Sequence, residues 1–179
     1  MMTITTLLLA HLVADFPLQT NGIVKMKTQG NKGLGLHVFV HVVVLILLIR
    51  NPYQYWPFIL LLATAHFITD WMKVHTHPKS QTPGFLLDQL IHIVTLVILA
   101  SFIPSIESTL PEWFLLPAIL LALIPALLTL LGVIANDFSR QETYPESPKL
   151  LWASKHLHPI SRNMSLIVMF LMIATALLI

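Results

Sequence analysis

Six apolar segments, near residues 2–18, 34–50, 57–74, 84–103, 113–135 and 163–179, are separated by short stretches rich in Pro, Gly, Asn and charge. A hydrocarbon core of about 30 Å takes roughly 20 helical residues to cross, and inside it every backbone N–H and C=O must be bonded within the segment. The segmentation therefore calls for an all-α, polytopic integral membrane bundle of about six helices, one transmembrane domain over residues 1–179. Of the 179 residues 56% are hydrophobic and 10% charged, against about 25% charged in an ordinary soluble domain. Mean hydropathy is +0.79. The start, Met-Met-Thr-Ile-Thr-Thr, carries no basic n-region and reads as a retained first helix.

The charges orient the bundle. Loops after the odd spans hold Lys25, Lys27 and Lys32, then Lys79, then Arg140, Lys149, Lys155 and Arg162, whereas the even loops hold Arg50, Glu107 and Glu112. By the positive-inside rule the odd loops are cytoplasmic and both termini face outward. The long loop before the last span contains a stretch, Lys149 to Leu157, that reads either as an amphipathic surface helix or as plain connection. Positive charges scattered over short loops form no basic face, so the pI near 9.1 does not signal nucleic acid.

Four successive spans each carry a pair of ionisable residues spaced i, i+4: His11 and Asp15, His37 and His41, His66 and Asp70, Asp88 and His92. Residues at this spacing share one helix face, with Cβ atoms about 5–6 Å apart. With the topology above, all four pairs fall toward the cytoplasmic half of the membrane. Residues 10–16, "AHLVADF", and 65–71, "AHFITDW", repeat the pattern Ala-His-x-x-x-Asp-aromatic. The first four spans, residues 1–103, thus read as a core made of a parallel repeat of two helical hairpins around a shared site. Residues 104–179 read as two supporting helices and a cytoplasmic loop.

A midplane Asp costs about 2.5–3.5 kcal/mol even on lenient insertion scales, and interhelical hydrogen bonding recovers only about 0.6–2 kcal/mol. Glue alone does not account for three such residues, each paired with His. Imidazole and carboxylate suit a divalent metal, zinc first and iron or manganese as alternatives, and the number of ligands fits one or two ions. Without cysteine, thiolate metal sites and cysteine nucleophiles are excluded. A metal-free proton relay and a bis-histidine haem are the other readings of the same residues.

The remaining polar residues are read individually. Lys73, one turn beyond Asp70, either meets an anionic substrate group at the site mouth or snorkels to the surface. Gln19 and Gln89 are outer hydrogen-bond donors to the site, Gln89 pointing away from the Asp88 and His92 face. His75, His77, His156 and His158 fall in loops, where exposed histidines usually bind nothing.

The segments "LLLAHLVADFPLQ", the His37 to His41 helix, "HFITDWMK" and "FLLDQLIH" resemble, in the same order, the bacterial membrane family catalogued as domain of unknown function 3307, over roughly the first hundred residues. The resemblance implies a bacterial inner-membrane location and supplies no activity. The plan is also similar in logic to the predicted inner-membrane metal-dependent hydrolases and to the ceramidase and adiponectin-receptor superfamily, without those families' full patterns. The expected function is a membrane-embedded metal-dependent hydrolase of a lipidic or amphipathic small molecule, in which Asp15, Asp70 and Asp88 supply the general base and Lys73 assists. The alternative is a metal-ion or proton-coupled transporter using the same ligands. The expected partners are the bilayer, the amphipathic substrate and, in a homo-oligomer, further copies of the chain; nucleic acid is not among them.

Overall fold

The computed structural model describes residues 2–76, 80–103, 105–140 and 147–178. They form seven α-helices, α1 Met2–Asp15, α2 Asn21–Gln29, α3 Asn31–Leu48, α4 Trp56–His75, α5 Gln81–Phe102, α6 Glu112–Ser139 and α7 Pro148–Leu178, with a short 3₁₀ turn at Pro52–Tyr55. The all-α expectation holds, with corrections. Four helices, α3, α5, α6 and α7, are long and apolar enough to cross a membrane. Helix α1 has only fourteen residues, about 21 Å at 1.5 Å per residue. It stops at Asp15, not near 18, because Phe16 precedes Pro17 and a residue before proline is driven out of the α region.

The first basic loop is itself a helix. Thr20 caps α2, its Oγ1 accepting from the Ile23 N–H at 3.4 Å. Gly30, at φ 146°, adopts a conformation open to glycine and breaks α2 from α3. Gly33 then lets the α2 backbone lie directly on α3: a Cβ there would overlap the Met26 carbonyl and stand 2.5 Å from the Lys27 nitrogen.

At the other end of the chain, the expected cytoplasmic stretch and the last span are one continuous helix, α7. Pro159 removes one N–H from it, but packing on α6 holds the axis together. Leu157 Cβ stands 3.5 Å from the position a Gly132 Cβ would take. Ser161 Oγ donates to the Pro125 carbonyl at 2.8 Å and lies 2.9 Å from Thr129 Oγ1.

Helices α1, α3, α4 and α5 close a ring in which each packs on the next and α5 returns to α1; α6 covers α1 and α5, and α7 packs on α6. The central helix α1 is buried from Thr6 to Asp15 except at Leu8, as expected of a helix apolar on all sides. Starts of α1 and α4 and ends of α3 and α5 meet on one face: Ile106 N–H donates to Thr3 Oγ1 at 3.0 Å, Tyr55 OH to the Ser105 carbonyl at 3.1 Å, and Arg50 N–H to the Glu107 carbonyl at 3.0 Å. Met2 and Ala176 line one cavity there, so the start of α1 and the end of α7 lie on that face. On the opposite face Asp137, in the last turn of α6, caps α5. It accepts from Ser80 Oγ at 2.7 Å and from the backbone N–H of Gln81 and Thr82 at 2.9 and 2.6 Å.

Candidate functional site

The ring order carries the four i, i+4 pairs to one point. Late in α1 and α4, early in α3 and α5, each helix turns its His/Asp face inward, and His11, Asp15, His37, His66, Asp70, Asp88 and His92 are all buried. Five imidazoles crowd together, with centroids 3.8 Å apart for His41 and His66 and 4.1 Å for His66 and His92. His11 stacks on His92 at 5.1 Å.

At the centre, imidazole nitrogens and carboxylate oxygens face one another. Asp15 Oδ1 lies 3.0 Å from His37 Nε2, 2.9 Å from His41 Nε2 and 3.8 Å from His66 Nε2. Asp70 Oδ2 lies 3.4 Å from both His37 Nε2 and His66 Nε2. The last two nitrogens are 3.2 Å apart. Two N–H groups cannot point at each other over that distance, so one of the two must present a lone pair.

These spacings have a second meaning. Ligand atoms held about 2.0–2.1 Å from a zinc ion stand about 3.3 Å apart in a tetrahedron, and about 2.9 Å apart at right angles. In the group of Asp15, His37, His41 and His66, the separations of 2.9–3.2 Å between Asp15 and His37, Asp15 and His41, and His37 and His66 match such edges, while Asp15 and His66, at 3.8 Å, stand wider. Asp15, His37, His41 and His66 form one group that could hold a metal ion, and His66, Asp70 and His92 a second sharing His66. His92 is oriented for it: Nδ1–H donates to the Asp88 carbonyl at 2.8 Å, and its buried Nε2 has no hydrogen-bond partner among the described residues. Fixing one ring nitrogen on a carbonyl in this way frees the other as a ligand. Buried Asp70 Oδ2 and Asp88 Oδ1 likewise lack a hydrogen-bond partner among the described residues, which is costly for a buried acceptor.

Three neighbours differ from the sequence reading. Lys27, buried, reaches from α2 to Asp70 Oδ1 at 2.5 Å; nothing in the apolar periodicity marks it, because its pairing depends on the α2–α3 contact at Gly33. Lys73 pairs with Asp88 across the α4–α5 contact. Its Nζ bonds Asp88 Oδ2 at 2.6 Å, 35% of the side chain remaining exposed, and lies 5.4 Å above the Phe85 ring. Gln89, expected to face away, donates from Nε2 to Asp15 Oδ2 at 3.2 Å and Asp88 Oδ2 at 3.3 Å, because α1 packs closely enough on α5 for its long side chain to bridge them.

The outlying histidines separate. Three of them do not lie in loops: His75 ends α4, and His156 and His158 are in α7; His156 stacks on Trp152 at 5.1 Å between centroids, and His75 lies tilted against Trp71 at 4.3 Å. His77 lies outside the described residues. His158 lines a polar cavity with Asp15 and Gln19.

Two spaces adjoin the centre. An apolar slot of about 50 Å³ is lined by His11, His41, His66 and His92 together with Leu7, Leu45, Ile59 and Leu96. A cavity of about 110 Å³ on the side of α2, α6 and α7 is reached, of the three central carboxylates, by Asp15. Comparison with curated proteins and with solved structures finds no match. A family model covers residues 3–121, every His/Asp pair and Lys27 included, and by that match the chain belongs to the family described as Protein of unknown function (DUF3307).

Proposed function

We propose that the chain is a metal-dependent hydrolase embedded in a bacterial inner membrane, acting on an amphipathic substrate. The observation that carries this reading is the placement of the His/Asp knot between an apolar slot and a polar cavity, both of which it lines. A substrate with a hydrocarbon tail and a polar head finds both environments on either side of one reacting bond. A permeation path for ions would be expected to keep polar walls on both sides; leucine and isoleucine line one side here.

A divalent metal, zinc first and iron or manganese next, would be held by His37, His41 and His66, which leaves Asp15 free beside it, with His66, Asp70 and His92 as a second set, and would supply Lewis acidity toward a carbonyl or phosphoryl oxygen. Asp15 borders the polar cavity while its Oδ1 meets His37 and His41, so it is placed to accept the proton from an attacking water. Lys27 and Lys73 pair with Asp70 and Asp88 and hold them in place. Gln89 ties Asp15 to Asp88. His11 closes the apolar side of the imidazole cluster against His92.

Six crossings with the basic loops inside and both termini outside follow from the charge pattern. The parallel repeat is supported by the ring order, in which α1 and α4, bearing the two Ala-His-x-x-x-Asp copies, lie across from each other, as do α3 and α5.

Purified protein should contain about one or two transition-metal ions per chain, and replacing His37 and His41 together by Ala should remove at least one. Asp15→Asn should keep the fold and lower turnover about 10²- to 10⁴-fold, with substrate accumulating in lipid extracts of cells carrying it. Protein free of transition metal after reconstitution refutes the metal centre. Cellular metal content that shifts in Asp15→Asn while the lipid profile stays constant assigns the site to transport instead.

A further inference from the structure

We propose that the polar cavity beside Asp15 is a binding site for an anionic headgroup, a phosphate or carboxylate, with Arg162 of α7 as its principal counter-charge. The inference rests on the hydrolase reading for its purpose, not for its geometry. The cavity, about 110 Å³, is walled by the α1–α2 turn, by Thr129 of α6 and by His158, Ser161, Arg162 and Ser165 of α7. Arg162 and His158 are exposed, and neither takes part in an ion pair or hydrogen bond among the described residues. An unpaired guanidinium at a cavity mouth, with five donors in a planar fork, matches the oxygens of a phosphate or carboxylate.

The single carboxylate in the wall does not repel such a ligand as a free charge would. Asp15 Oδ1 is engaged by His37 and His41 at 3.0 and 2.9 Å and Oδ2 by Gln89 at 3.2 Å. The start of α2, at Thr20 and Asn21, also opens on the cavity, adding the positive end of a nine-residue helix. Phe16, Val24 and Leu166 complete the wall, so an amphiphile's glycerol or chain region meets apolar surface beside the charged head. These α7 residues lie beyond residue 121, outside the stretch matched by the family model. The supporting helix therefore sets substrate choice, while the ring holds the reacting centre.

The test uses full-length, delipidated protein in neutral detergent, titrated with dihexanoyl phosphatidic acid, dihexanoyl phosphatidylcholine and inorganic phosphate, with metal content measured on the same samples. Wild type should prefer the phosphatidic acid over the phosphatidylcholine. Arg162→Gln should weaken that binding about tenfold or more, Arg162→Lys should restore part of it, and Arg140→Gln, at the end of α6 and outside the cavity wall, should leave it unchanged. Binding of inorganic phosphate at similar strength assigns the site to a free anion; its absence assigns it to a lipid head. Equal binding of the two lipids by wild type, or equal losses in Arg162→Gln and Arg140→Gln, overturns the proposal. A metal-free wild type that still shows the Arg162-dependent preference refutes the hydrolase and leaves the anion site standing.

Discussion

Replacing Gly33 by Ala should drive α2 off α3 and withdraw Lys27 from the centre. The added methyl would overlap the Met26 carbonyl and come within 2.5 Å of the Lys27 nitrogen, where ordinary contact begins at 3.4 Å. Both obstacles are backbone, so no rotamer change relieves them and α2 must retreat by about 1 Å or more, the difference of those two distances. Overpacking of this kind costs about 1–3 kcal/mol. The retreat also stretches the 2.5 Å contact between Lys27 Nζ and Asp70 Oδ1, and stranding a buried carboxylate costs about 3–5 kcal/mol. A total loss of about 3 kcal/mol or more is expected, read as the midpoint shift in denaturant titration of the detergent-solubilised protein. Lys27→Met removes the same ion pair, so Gly33→Ala in that background should cost about 1–3 kcal/mol less than in wild type. Full additivity of the two substitutions would show that the α2 contact at Gly33 does not position Lys27, and the reasoning would fail.

Asp137→Ala should destabilise the bundle by about 1–2 kcal/mol, since it removes acceptors for Ser80, Gln81 and Thr82 at the start of α5; hydrogen exchange should speed up at Gln81 and Thr82 before it does elsewhere in α5. Ser161→Ala should cost about 0.6–1.7 kcal/mol through its bonds to Pro125 and Thr129, with Thr129→Val adding little on top; a larger loss for the double variant contradicts that shared contact. Lys73→Met should be tolerated better than Lys27→Met, because Lys73 keeps 35% of its side chain exposed while Lys27 keeps 10% and water can replace it on Asp88; comparison of the two midpoints decides. Topology reporters fused after Leu178 and inserted at Ser80 should report opposite sides of the membrane, the Ser80 reporter inside; the same side for both contradicts the alternation of helices.

The sequence alone determined the membrane class and the partners in the central cluster. Apolar runs of near-bilayer length admit little besides helices, and i, i+4 spacing fixes two side chains on one face whatever the helix packs against. Four such faces in four successive apolar helices, each too costly to leave in lipid, have to find one another; hence His11, Asp15, His37, His41, His66, Asp70, Asp88 and His92 were legible, and all of them meet. What depends on approach between helices was not. Lys27 reaches Asp70 because Gly33 lacks a Cβ, Gln89 reaches Asp15 because α1 lies close to α5, and Asp137 caps a helix 55 residues away in sequence. Helix α7 runs through Pro159 because Gly132 and Ser161 let it pack on α6, and that continuity sets Arg162 beside Asp15 in one cavity. Periodicity records which way a residue points along its own helix; the distance to the neighbouring helix is set by side chains elsewhere, and that distance decides which charges meet.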